Sequence, residues 1–202
     1  MDNVKVPVRV LAFVWGSTEA DWHQHANGGA WVHNTADVPA SMFFHPTSII
    51  GARARVGEWA TVGEGATVGE GARVGARARV GARATVGEGA RVGEGATVGE
   101  GATVGARATV GEGARVGENT FWKTNPPQVQ GSRHIATLYS LTQIAVGCHI
   151  HDISYWLERY RAIGRSEGYT QEQISEYGLH LNHLAACAQL LTPKPAAEDV
   201  NG

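Results

Sequence analysis

From Ile50 to Phe121 an aliphatic residue returns every six positions, twelve times without a slip: Ile50, Val56, Val62, Val68, Val74, Val80, Val86, Val92, Val98, Val104, Val110 and Val116. Alanine follows each by four residues, from Ala54 to Ala114, with Thr120 in the last unit. The unit reads Val-Gly, then Glu-Gly or Ala-Arg, then Ala, then Thr or Arg. Six residues is too short a period for a helical pair or a propeller blade, and it suits a β-solenoid in which each hexad forms one side of a coil. Within Ala-Thr-Val, strand alternation puts Ala and Val on one face and Thr or Arg on the other. Val fills the interior and Ala leaves room for the opposite wall. Gly-Glu-Gly and Gly-Ala-Arg turn the corners, where glycine supplies backbone angles that other residues resist. Three sides close a triangular coil of about eighteen residues, stacked at about 4.8 Å. One coil alone cannot bury its apolar face, so stacking is obligatory. A collagen-like reading fails, because collagen needs Gly at every third position and abundant Pro, and this tract contains no Pro.

The same phase continues upstream through Val32, Val38 and Phe44, in hexads degraded by Pro39 and Pro46. Atypical end repeats are expected where a stack is capped. The pattern predicts about five coils over 32–121. Residues 1–31 read as an N-terminal strand and loop cap: Val4 to Val10 alternates, and Trp15 to Gly29 reads as loop. After Phe121 the repeat stops, and Asn125-Pro126-Pro127 marks a boundary. Over 122–192 the chain predicts a strand or hairpin at Ala136–Val146 and then two helices. Ile153, Trp156, Leu157, Tyr160 and Ile163 form one apolar stripe; Ile174, Tyr177, Leu181, Leu184 and Ala188 form another. Thr170 to Gln173 reads as a capping box, Asp152 as an N-cap and Pro193 as a stop. Residues 193–202 read as a disordered tail. The stripes predict core packing, as a helical cap sealing the solenoid or knitting a trimer.

Charge and composition narrow the chemistry. The net charge is −2 over 202 residues, which gives no electrostatic case for duplex nucleic acid or membrane binding. No stretch is apolar enough to span a bilayer, and Val4–Trp15 does not read as a secretory signal. Cys148 and Cys187 form no disulfide framework, so a cytoplasmic setting is the expectation.

Residues eighteen apart stack on one side of the prism. The outward position before each Val then gives three distinct sides. One carries Arg55, Arg73, Arg91 and Thr109; a second carries Thr61, Arg79, Thr97 and Arg115; a third carries Ile49, Thr67, Thr85 and Thr103. Stacked like charges repel, so the arginine column needs compensation. Eight corner glutamates nearly match the nine arginines of the repeat, and mutual ion pairing is one account. The other is a cleft that binds a phosphate-bearing ligand, because the guanidinium fork matches phosphate oxygens. The candidate ligand-binding residues are Arg55, Arg73, Arg91, Arg79 and Arg115, with the corner residues Arg53, Arg77, Arg83 and Arg107 able to serve either account.

Val62-Gly63-Glu64-Gly65-Ala66-Thr67 matches, at every constrained position, the unit of the hexapeptide-repeat family, and the chain resembles that family over about a third of its length. The resemblance implies a mostly β fold with a left-handed parallel β-helix. It also implies a homotrimer with ligand sites in the clefts between subunits. Many members of this acyltransferase-like superfamily use a coenzyme A or acyl-carrier thioester and place one histidine in the cleft as general base. The twelve strict hexads contain no His, Cys, Ser or Asp and no inserted loop. His33 and His45, in the degenerate coils, are the alternative catalytic residues. Ala145-Val146-Gly147-Cys148-His149, Tyr155-Trp156 and Gly28-Gly29-Ala30-Trp31-Val32 resemble stretches of phage and bacterial members. That implies a binding or assembly role, such as sequestering a nucleotide signal, without a cofactor.

Cys148-His149-Ile150-His151-Asp152 is the densest set of metal-ligand types. On a strand His149 and His151 share a face, and His180 and His183 share one on a helix. Two such pairs could meet around zinc; a structural strand-to-helix junction is the alternative. Three classes of function stay open: an anion-binding trimer, an acyltransferase, and a structural assembly protein.

Overall fold

The computed structural model describes residues 5–192. Its centre is a three-sided parallel β-solenoid of about five coils. Each hexad supplies one two-residue strand, from Ile49–Ile50 to Phe121–Trp122. Pairing is parallel and in register at a spacing of eighteen residues: Arg55 with Arg73, Thr61 with Arg79, Thr67 with Thr85. The inward valines from Val56 to Val116 and the alanines from Ala54 to Ala114 are buried and form one continuous core. The upstream phase also holds: Val32 and Phe44 are fully buried, and Val38 packs against the same core.

The corners use two kinds of position. At the second residue of each hexad the backbone angle is ordinary, but coils touch there. A Cβ on Gly81 would stand 2.6 Å from the backbone nitrogen of Glu100 in the next coil. That closeness lets each coil's N–H reach the next, as from Gly81 to the Val98 carbonyl at 2.8 Å. At the fourth residue the chain turns through positive φ, as at Gly95 (φ +63°), where a Cβ would meet nothing within 4 Å. Non-glycine residues also occupy this position: Arg53, Trp59, Arg77, Arg83, Arg107 and Asn119. The corner thus excludes side chains at the second position for want of space and merely strains them at the fourth.

Both ends of the solenoid depart from the expected elements. The alternating N-terminal segment is not a strand. Pro7 precedes a one-turn helix, α1 (Val8–Leu11). Val6, Val10 and Val14, four apart, are buried while Val8 is exposed. A period of four therefore overrides the period of two, and these valines close over Ile49 and Ala52 on one side of the prism. Val4 lies outside the described residues. The expected loop at 15–29 contains a 3₁₀ turn at Glu19–Asp21 and a strand, Trp22–Gln24, antiparallel to Trp31–His33.

Beyond the last coil the strand or hairpin expected at 136–146 is the middle of a four-stranded antiparallel sheet. Its strands are Gln128–Gln130, Ile135–Leu138, Gln143–Val146 and His149–Asp152. Two helices follow, α2 (Ile153–Ser166) and α3 (Gln171–Leu191). Thr170 caps α3 reciprocally with Gln173. Asp152 occupies the N-cap of α2 but makes no side-chain cap bond, and its Oδ1 accepts instead from Gln143 at 3.2 Å. Trp156, Tyr177, Leu181, Leu184 and Ala188 join the same core as the solenoid valines, through Leu138, Ile144 and Val146. The stop at Pro193 and the tail at 193–202 lie outside the described residues. Among the described residues no helix is long and apolar enough to cross a membrane.

Two pairs of variants test this architecture. Val86 is fully buried and Thr85 only partly. Val86→Asp buries an unpaired carboxylate, which costs several kcal/mol, comparable with the whole stability of a typical domain; Thr85→Ala should cost under about 1 kcal/mol. Thermal melting should show the first unfolded and the second near wild type; equal melting would overturn the inward and outward assignment. The corner glycines differ in the same way. Gly95→Ala should cost about 1–2 kcal/mol of left-handed strain, whereas Gly81→Ala forces adjacent coils apart and should cost clearly more by chemical denaturation.

Candidate functional site

The arginine column is real. Arg55, Arg73 and Arg91 lie in register on adjacent strands of one side, followed by Thr109. Asp37 forms an isolated parallel bridge with Arg55 and so heads the column. Sequence reading missed this acid, although it stands eighteen residues before Arg55. All three arginines are exposed. Among the described residues no carboxylate lies within ion-pair distance of them, nor of Arg79 or Arg115 on the second side. The Nε of Arg115 is buried without a hydrogen-bond partner.

Three of the four corner arginines behave differently; the fourth, Arg107, has no ion-pair partner among the described residues. Arg53 pairs with Glu70, Arg83 with Glu100, and Arg77 with Glu94 at 3.5 Å. Each joins one coil to the next. Mutual neutralisation therefore accounts for these corners and leaves the column unmatched. A shallow groove beside the column is lined by Arg53, Arg55, Glu70, Gly71, Arg73, Glu88 and Gly89. Its chemistry is two outward guanidinium groups with flanking acids. No histidine, serine or cysteine lines it.

The two alternative catalytic histidines sit in the first coil, each in the same local arrangement. His33 Nδ1 lies 2.9 Å from Thr35 Oγ1, and His45 Nδ1 lies 2.8 Å from Thr47 Oγ1. The hydroxyls in turn accept from the next coil: Arg53 N–H donates to Thr35 at 3.0 Å and Gly65 N–H to Thr47 at 2.8 Å. Lower in the stack the equivalent corner N–H donates to a backbone carbonyl, as from Arg77 to Glu58. In the first coil the threonine hydroxyl of each His-x-Thr pair thus takes the place of a backbone carbonyl. With Nδ1 accepting from the threonine hydroxyl, the neutral ring carries its proton on Nε2, the wrong tautomer for a base acting through that nitrogen. His33 is also buried edge-on to Trp22 at 5.1 Å between ring centroids.

His45 also lines a larger groove with Met42, Phe43, Glu58, Trp59 and Glu64. Sequence reading passed over it. The available signal was Trp59, an aromatic residue at a hexad position otherwise occupied by Gly, Arg and one Asn.

The C-terminal histidines share faces as the spacing predicts, but the pairs go to different partners. His149 and His151 stack with ring centroids 6.0 Å apart. His149 Nε2 meets Glu167 at 3.2 Å, and His151 packs on Tyr155 at 4.6 Å. His180 meets Glu176 at 3.3 Å, and His183 lies 3.7 Å from Cys187 Sγ. The Ser132 hydroxyl donates to Glu176 at 2.6 Å and holds that carboxyl below the usual range. Burial and the neighbouring Tyr177 push the Tyr169 hydroxyl up. Among the described residues no group of three or more His, Cys, Asp or Glu gathers as a metal site requires.

Residues 65–100, six consecutive hexads, match the family model described as bacterial transferase hexapeptide (six repeats). No curated protein matches the sequence. Among solved structures the chain is similar to the acetyltransferase domain of PglB from Neisseria gonorrhoeae FA1090, at 21% identity over 50% of this chain and 52% of that one, with a TM-score of 0.40. It is also similar to a hexapeptide transferase family protein from Anaplasma phagocytophilum, at 14% identity over 82% and 95% of the two chains, TM-score 0.28. A third is PerB from Caulobacter crescentus in complex with CoA and GDP-perosamine, at 23% identity over 48% and 53%, TM-score 0.20. The match spans about half the length of the PglB domain. The twelve strict hexads build a parallel three-sided β-solenoid, and its residues 65–100 are similar to the bacterial transferase hexapeptide repeat.

Proposed function

We propose that this protein is a homotrimer that binds a phosphate-bearing, nucleotide-like small molecule along the Arg55–Arg73–Arg91 side, in three clefts between subunits, and does not transform it. The observation that carries this reading is the unmatched column. Three of the four corner arginines have carboxylate partners, whereas among the described residues the three exposed guanidinium groups in register have none. Like charges about one strand spacing apart repel, so an anionic ligand or a partner's acid is the missing countercharge. Bidentate guanidinium–phosphate bonds supply both affinity and orientation. Binding needs only charge and shape, whereas catalysis also needs a positioned proton carrier; the groove beside the column is lined by no histidine, and of its two acids, Glu70 and Glu88, the first is paired with Arg53. Sequestration of a nucleotide signal is the role this reading fits best.

Acyl transfer from a coenzyme A thioester is the second reading, favoured by the transferase-type repeat. It would use His33 or His45 as base, and each would have to surrender its bond to Thr35 or Thr47. A structural assembly is the third, in which a neighbouring subunit's carboxylates neutralise the column.

Sedimentation equilibrium should give three times the chain mass of 21.4 kDa at micromolar concentration; a monomer would remove the cleft along with the trimer. Calorimetry against cyclic dinucleotides, nucleotide sugars, adenosine-diphosphate-ribose derivatives and coenzyme A thioesters should find one class that binds. Arg73→Glu should weaken that binding at least tenfold with the melting temperature unchanged, because the side chain is exposed. Unchanged affinity would clear the column of this role. Thioester turnover that disappears in His33→Ala or His45→Ala would establish the acyltransferase reading instead.

A further inference from the structure

The first coil departs from the others on one side. Two of its strand positions pair downward: Trp31 with Ile49 on one side, and Asp37 with Arg55 on another. The third, at Phe43–Phe44, does not pair, and the sheet beneath it ends at Thr61–Val62. The 41–44 segment is held elsewhere. Asn27 donates to the Ser41 carbonyl at 3.0 Å, and Phe44 N–H donates to Asn27 O at 3.1 Å. Gly28 lies so close that a Cβ there would overlap the Phe44 carbonyl. Phe44 still fills the core, but its backbone is drawn toward the 25–29 turn. The gap left above Thr61–Val62 is a groove of about 650 Å³, within the range of small-molecule sites.

We propose that this groove binds a primary ammonium group carried on an apolar or aromatic body. Its walls include Met42, Phe43 and Trp59, with Phe43 62% and Trp59 77% exposed. Trp59 sits at φ +62°, a conformation that strains a bulky side chain. Six glycines hold the same corner elsewhere in the repeat without strain. A tryptophan kept there presents its ring at the groove. The carboxylates Glu58 and Glu64 border it beside the polar Ser41, His45 and Thr61, and no Lys or Arg does. Neither acid has an ion-pair partner among the described residues. Glu64 also borders a second depression containing Arg9 and Arg83; the Arg83 guanidinium is taken by Glu100, and Arg9 makes no ion pair with Glu64.

The backbone adds acceptors. The upper edges of the other two sides receive N–H groups from the first coil, at Ser48 O and Ala54 O. No such bond reaches Ala60 or Val62 at this edge, so carbonyl acceptors face a ligand with N–H donors. Aromatic faces attract cations, carboxylates complete the charge, and the apolar wall takes the ligand's body. The site lies at the corner between the arginine side and the next, and its ligand has the opposite charge to the one proposed for the column.

Calorimetry with 2-phenylethylammonium and its neutral counterpart 2-phenylethanol tests this. The ammonium should bind, and the alcohol at least tenfold more weakly. Trp59→Gly should lower the ammonium affinity at least tenfold while melting at the same temperature or higher, because glycine suits that corner. Glu58→Gln should weaken binding severalfold, and Arg73→Glu should leave it unchanged, which separates this site from the anion column. Equal affinity for the alcohol, unchanged affinity in Trp59→Gly, or no ammonium binding at millimolar concentration would each overturn the proposal.

Discussion

The structure depends on backbone meeting backbone at the second residue of the hexads from Gly51 to Gly105. From Gly51 to Gly99 a Cβ there would stand 2.5–3.0 Å from atoms of the next coil. Only glycine permits the approach, and the approach sets the distance at which N–H groups such as that of Gly57 reach the Val74 carbonyl, at 2.7 Å. Because stacking is set by backbone, the register is uniform at eighteen residues along the prism. Any outward residue is then copied into a column if its hexad position repeats. The chain's surface chemistry is thus a consequence of its packing rule. A Thr column, a mixed column and an Arg column arise from which residue precedes each valine.

A stack of parallel coils leaves unmet backbone groups at both ends, and buried or half-buried polar groups must find partners. This demand accounts for several residues that look chemical in the sequence. At the top, Thr35 and Thr47 accept corner N–H groups and are steadied by His33 and His45. At the bottom, Asn125 Oδ1 accepts from Thr109 N–H and Gln128 Oε1 from Gly111 N–H, each at 2.8 Å, and the Tyr139 carbonyl receives Gly117 N–H. Side chains thus replace backbone carbonyls in the first coil and, at the bottom, the coil that would follow the last. The C-terminal sheet and helices complete the lower end by extending the valine core through Leu138, Ile144 and Trp156. A histidine near the mouth of such a solenoid has a structural reason to be there before any catalytic one.

The repeat was legible because one rule governs it. Period, inward face, coil number and the Arg55–Arg73–Arg91 column all follow from the spacing of Val and Gly, and the pairing register bears them out. Both helices and the Thr170 cap were legible from periodicity and capping chemistry. What escaped lies where the rule lapses. At Val6–Val14 two periods fit the valines, and burial against Ile49 favours the helical one. The four-stranded C-terminal sheet was half seen, since Gln128–Gln130 and His149–Asp152 lack a clean alternation of buried and exposed residues. The groove at Trp59 arises from a missing strand pairing, held open by Asn27 and Gly28 from a distant turn, and no local pattern announces such a tertiary contact.

Native mass spectrometry of the protein purified from its own host reads the central claim most directly, because it weighs assembly and retained ligand together. The account predicts a trimer carrying up to three copies of a phosphate-bearing molecule, released as ionic strength rises, as expected where charge pairing dominates affinity. A ligand-free monomer, or a trimer whose bound mass is unaffected by Arg73→Glu, would contradict it.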